Sequence, residues 1–112
     1  MLQITAPIDC NTEGVTYKLL CRKHRDFFYI GETKRRLRDR IQDHRGYITQ
    51  KKDHPVGNHF NGPGHGKDPV AYLKVVGFER VLPKGDHLLR KTRESHWINT
   101  YNAVTYGANT RD

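Results

Sequence analysis

Apolar and polar positions alternate through Val15-Thr16-Tyr17-Lys18-Leu19-Leu20-Cys21, and a second strand-like run, Phe27-Phe28-Tyr29-Ile30-Gly31, follows closely. The alternation predicts a strand from about Val15 to Cys21 with Val15, Tyr17, Leu19 and Cys21 on one face. The turn signal Asn11-Thr12-Glu13-Gly14 precedes it. Arg22-Lys23-His24-Arg25-Asp26 is a polar connection of hairpin length, so the second strand pairs antiparallel with the first and ends at Gly31. The period then changes. Leu37, Ile41, His44 and Ile48 form one stripe of a helix capped by Thr33 and reaching about Thr49. Arg40 and Tyr47 border that stripe, while Asp39, Gln42 and Asp43 take the opposite side. An unpaired buried cation is costly, so this helix is expected to meet the sheet at the edge of a polar cleft.

The stretch from Lys51 to Pro69 is rich in Gly, Pro and His and reads as a functional or metal-organised loop with one helical turn at Val56 to Phe60. Val70 to Phe78 is the third strand. After Pro83-Lys84-Gly85, Asp86 caps a second long helix that runs to about Tyr101. In it Glu94, Trp97, Ile98 and Tyr101 share a face. Leu88 and Leu89 lie off that face, which predicts contacts on two sides. The elements fit one α/β domain over residues 1–112, with its core at about 10–109: a small antiparallel three-stranded sheet flanked by helices.

Composition narrows the partner. The 112 residues carry 20 Lys and Arg against 12 Asp and Glu, a net charge of +8, with a mean hydropathy of −0.86. On a small domain this excess points to a polyanion such as nucleic acid. Membrane-surface binding through the basic helix lacks the broad aromatic and leucine face it needs. No run approaches the ~18 apolar residues of a membrane span, and Met1-Leu2-Gln3 does not open a signal peptide. Two cysteines, Cys10 and Cys21, make no disulfide framework and suit a reducing compartment. The expected setting is intracellular and nuclear.

Five segments in order carry a more specific signal: Gly14-Val15-Thr16-Tyr17, Tyr29-Ile30-Gly31-Glu32-Thr33, Arg40 with His44, Arg93-Glu94-x-x-Trp97-Ile98, and Gly107-Ala108-Asn109. Together they resemble the GIY-YIG endonuclease domain over nearly the whole chain. Within that family the chain looks most like the endonuclease of Penelope-like retroelements, through Tyr-Ile-Gly-Glu-Thr, an Arg-rich helix, Pro55-Val56-Gly57-Asn58-His59-Phe60 and Gly64-His65. The first block departs from the pattern, having one residue more between glycine and tyrosine.

The resemblance implies a divalent-metal-dependent DNA endonuclease or nickase. Tyr17 would act as general base or pass the proton on, Tyr29 would bond the phosphate or attacking water, and Arg40 would clamp the scissile phosphate. His44 is either the proton acceptor of Tyr17 or an ordinary buried histidine. Glu94 would hold Mg²⁺ or Mn²⁺, its competing role being a surface salt bridge with Arg90 or Arg93; Asn109 would support the site. A free phenol titrates near ~10, so Tyr17 needs positive charge nearby. Arg35, Arg36, Arg38 and Arg45 are assigned to DNA phosphates or solvent. The Penelope-like branch also implies structural Zn²⁺, here on Cys21, His24, His59 and His65, with Cys10 as an alternative ligand and a buried free Cys21 beside a mobile loop as the competing reading. Its partners would be target DNA and a reverse transcriptase domain in a longer polypeptide. The rival function is a non-catalytic nucleic-acid-binding module on the same fold.

Overall fold

The computed structural model describes residues 8–81, 87–101 and 109. Strands β1 (Glu13–Cys21) and β2 (Phe28–Arg36) form the antiparallel hairpin, followed by helices α1 (Leu37–Thr49) and α2 (Pro55–Phe60). A 3₁₀ turn at Pro69–Tyr72 leads into strand β3 (Leu73–Arg80), and helix α3 spans His87–Tyr101. The sheet order is β2-β1-β3, both pairs antiparallel. The three-stranded antiparallel sheet flanked by helices therefore matches the expected fold class.

β1 is central, which explains its burial. Val15, Tyr17 and Leu19 face the α1 and α2 side, in a core with Ile48, Val56 and Phe60. The stripe of α1 packs as its spacing predicts, with Leu37, His44 and Ile48 buried.

Several boundaries move. β2 does not end at Gly31 but continues to Arg36, so Thr33 is a strand residue and caps nothing; its hydroxyl accepts from Arg35 N–H at 3.1 Å. The first N–H groups of α1 are satisfied from elsewhere, Leu37 by the Thr12 carbonyl at 2.9 Å and Arg38 by the Cys10 carbonyl at 2.7 Å. β3 starts at Leu73 because Pro69 opens a 3₁₀ turn rather than a strand. Asp86, the expected cap of α3, lies outside the described residues, as do Gly107 and Ala108. Leu88 is largely exposed and Leu89 partly so, whereas Arg90 beside them is buried.

The extra residue in the first block is accommodated. Gly14 sits at φ 71°, a left-handed conformation that favours glycine, and Tyr17 stays in register opposite Gly31. A bulge between β1 and β3 aligns Thr16 with Glu79 but Tyr17 with Gly77, leaving Phe78 as the extra residue. It turns Phe78 and Glu79 toward the same side. Phe78 stacks on Trp97 at 4.5 Å, and the buried Glu79 carboxylate accepts from Arg93 Nε at 2.6 Å and Trp97 Nε1 at 3.0 Å. These contacts pin α3, and with it Glu94, against the sheet.

Candidate active site

Four elements converge on a cleft of about 740 Å³. β2 contributes Tyr29, Glu32, Lys34 and Arg35; α1 contributes Arg40; His54 and Pro55 enter from the start of α2; and α3 brings Arg90, Lys91, Glu94 and Ile98. Asn109 closes one side, its carboxamide accepting from Ile30 N–H and donating to Ile30 C=O, each at 2.8 Å.

Tyr17 and His44 stand behind this wall. The Tyr17 hydroxyl lies 2.8 Å from His44 Nε2 and receives the Arg40 Nε–H at 3.1 Å. Both rings are fully buried. Arg40 is held further by Asp43 and by the Tyr47 hydroxyl, each at 3.3 Å. The stripe histidine and the bordering arginine and tyrosine of α1 thus meet at one phenol on the central strand. Because Arg40 already donates to the Tyr17 oxygen, the Tyr17 proton points to His44 Nε2. His44 Nδ1 has no hydrogen-bond partner among the described residues.

Electrostatics follow from burial. The Tyr17 phenol is held above its ordinary value by desolvation, which the Arg40 charge offsets only in part. One guanidinium does not by itself make this phenol acidic. Burial, then Arg40 and His54, lowers His44 to about 3, so its imidazole is neutral at pH 7. Arg40 stays charged: burial opposes its charge, but the Tyr17 and Tyr47 oxygens outweigh that. The Glu94 carboxyl is raised by burial and by the nearby Glu32, against the pull of Lys91.

Glu94 pairs with Lys91 at 3.5 Å. The partners named from sequence are engaged elsewhere, Arg93 with Glu79 and Arg90 with Glu32. A desolvated carboxylate facing a second one suits a hard divalent cation, which needs few protein oxygens when it keeps most of its waters.

Of the assigned DNA-contact residues, Arg35 and Arg36 lie at the end of β2 rather than on the helix. Arg35 pairs with Asp43, and Arg36 with Asp39 at 3.2 Å. Arg38 and Arg45 are exposed on α1. The cleft adds Lys34 and Lys91, which belong to none of the recognised segments, and Arg90, which the sequence suggested only as a partner of Glu94.

A second cluster lies beyond α2. Cys21, His24, His59 and His65 bring one ligand atom each within 4.8 Å of one another. Cys21 Sγ is 3.3 Å from His65 Nε2 and 3.8 Å from His24 Nδ1, and those two nitrogens are 3.2 Å apart. A tetrahedral zinc ion with bonds of ~2.0–2.3 Å separates its ligands by roughly 3.3–3.8 Å. His59 Nε2 is buried with no hydrogen bond among the described residues. Its pKa is lowered to about 4, by burial first and then by His65 and His24, so it carries the neutral ring that a metal requires. The four residues fit zinc. Cys10 is exposed and stands outside this cluster.

The family model of the GIY-YIG catalytic domain matches residues 13–107. No curated protein and no solved structure gives a significant match.

Proposed function

Since the chain belongs to the GIY-YIG catalytic domain family, a family of nucleases acting on DNA, we propose that it is a divalent-metal-dependent endonuclease that hydrolyses a DNA phosphodiester. The observation that carries this reading is the convergence of Tyr29, Arg40 and Glu94 on one cleft with the Tyr17–His44 pair directly behind Arg40.

A phosphate entering the cleft meets Arg40, whose guanidinium neutralises the charge that builds up on the non-bridging oxygens. Tyr29 orients the attacking water. When Arg40 turns from the Tyr17 oxygen to the phosphate, that oxygen is freed to accept the proton of the water while Tyr17 passes its own to His44 Nε2, which gains basicity as the phosphate neutralises the Arg40 charge that, after burial, holds it down. The water oxygen bonds to phosphorus and the bond from phosphorus to the 3′ oxygen breaks. The 3′ oxygen takes a proton from solvent, leaving 5′-phosphate and 3′-hydroxyl ends. Glu94 would hold Mg²⁺ or Mn²⁺, which supplies Lewis-acid stabilisation of the leaving oxygen. Asn109 fixes the Ile30 backbone beside Tyr29.

The finer reading places the chain nearest the endonucleases of Penelope-like retroelements. Tyr29-Ile30-Gly31-Glu32-Thr33, the Pro55-Val56 loop and the fit of the Cys21, His24, His59 and His65 cluster to structural zinc support it. In that role a nick in nuclear target DNA leaves a 3′-hydroxyl from which a reverse transcriptase domain begins synthesis.

Nicking of supercoiled plasmid with Mg²⁺ or Mn²⁺, abolished by chelator, tests the function. Glu94→Ala and Tyr17→Phe are each expected to keep the fold and most DNA affinity while nicking falls by a factor of ~10³ or more. Undiminished nicking by both purified variants would refute the site. No nicking by the wild-type chain under either metal would favour the non-catalytic binding module.

A further inference from the structure

His54 belongs to none of the segments that identified the site, yet it lines the cleft with Tyr29, Arg40 and Glu94. Its geometry fixes its chemistry. His54 is the N-cap of α2, ahead of Pro55, and its Nδ1 accepts from Val56 N–H at 3.1 Å. An acceptor lone pair on Nδ1 puts the proton of the neutral ring on Nε2. That Nε2–H makes no hydrogen bond to any described residue. The ring is held from three sides. Tyr47 lies 4.5 Å away at a 31° tilt, Tyr29 stands edge-on at 5.4 Å, and His44 at 5.6 Å. Tyr47 is also a hydrogen-bond partner of Arg40, so His54 and Arg40 are set relative to each other through one phenol.

From this geometry we propose that His54 is a further substrate-contact residue, whose Nε2–H donates to a non-bridging oxygen of the DNA phosphate bound by Arg40. The inference rests on the nuclease reading. Burial, then Arg40, holds the His54 pKa below its ordinary value, which agrees with a neutral donor. A neutral donor suits this point of the cleft, beside the charge of Arg40. A second fixed cation at that point would repel Arg40 and weaken any divalent ion near Glu94, whereas an N–H dipole stabilises the growing phosphate charge without either penalty.

The cap and the donor sit on different nitrogens, so two substitutions separate them. His54→Asn can retain the cap, because the Asn carbonyl oxygen reaches Val56 N–H much as Nδ1 does, but it removes the Nε2–H. His54→Gln gives up the cap and places an amide N–H near the position of Nε2. For Asn the expected result is a thermal midpoint close to wild type with single-turnover nicking slowed about 100-fold. For Gln it is a midpoint lowered by about 4–8 °C, yet nicking roughly tenfold faster than that of Asn. DNA affinity should change by less than about fivefold in both, since most of it comes from other phosphate contacts. Rates that follow the thermal midpoints, or an Asn variant that nicks like wild type, would overturn the proposal and leave the nuclease reading intact. A wild-type chain that never nicks would overturn both.

Discussion

Gly31 and Tyr17 face each other across the β1–β2 ladder, and the phenol packs against the glycine. A Cβ at position 31 would sit 2.8 Å from Tyr17 Cε1 and closer still to Cζ and the hydroxyl oxygen. Gly31→Ala should therefore displace the phenol from His44 and Arg40, destabilise the fold by about 1–3 kcal/mol, and lower the nicking rate more than it lowers DNA affinity. Urea unfolding and single-turnover kinetics measure the two effects. His44 supplies a second residue-scale prediction. Its folded pKa of about 3 lies below the ordinary 6.5, so the unfolded chain binds its proton first. Stability is then complete above about pH 6.5 and falls as the pH drops toward 3, with a slope of at most ~1.4 kcal/mol per pH unit for this group. His54 and His59, also lowered, add to the loss. Glu94, raised by burial, opposes it at the acid end. Urea unfolding at pH 7.5 and pH 5 should show the decline, and His44→Gln should flatten it.

α2 has only six residues, yet it joins both functional clusters, with His54 at its N-cap and His59 in its last turn. Phe27 stacks on His59 at 3.8 Å and Phe60 is fully buried, so the same short helix anchors in the core. Elemental analysis of protein purified without added metal should find about one zinc per chain. Replacing His59 and His65 together should release it and lower the thermal midpoint, because structural zinc contributes directly to folding. Protein that is zinc-free and still unfolds cooperatively at the same temperature would refute the site. Much of this was legible in the sequence. The stripe of Leu37, His44 and Ile48 and the alternation of Val15, Tyr17 and Leu19 record which side meets the core, and each pattern is local. The start of α1 was not legible, since its N–H groups are satisfied by Cys10 and Thr12, far back along the chain, and Thr33 was free to remain in a strand. Nor was the pairing of Glu79 with Arg93 and Trp97, which depends on a bulge that only strand register reveals. His54 did leave a trace: a polar residue directly before a proline is a common way for a helix to begin.

Charge acts on the molecule as a whole. Lys34, Arg35, Arg40, Arg90 and Lys91 line the cleft against Glu32 and Glu94, and the chain carries +8 in all. DNA affinity should accordingly fall steeply with salt and depend weakly on sequence, through release of counterions from the phosphates. Fluorescence anisotropy across 50 to 200 mM salt reads the slope, and affinity that stays flat would contradict it. Arg36→Ala or Arg45→Ala should reduce the slope without slowing cleavage at saturating enzyme. Among the described residues no helix is long and apolar enough to cross a membrane.

Among the described residues β2 ends the sheet on the side away from β3, with no further strand along its outer row of main-chain groups. Such a rim invites a strand from another molecule. Asn109 occupies both main-chain groups of Ile30 with one carboxamide, standing in for the next strand over the length of a single residue. The same side chain that steadies the backbone beside Tyr29 should therefore also hinder edge-to-edge self-association. Asn109→Ala is expected to self-associate more strongly than the wild type as concentration rises, which sedimentation velocity reads.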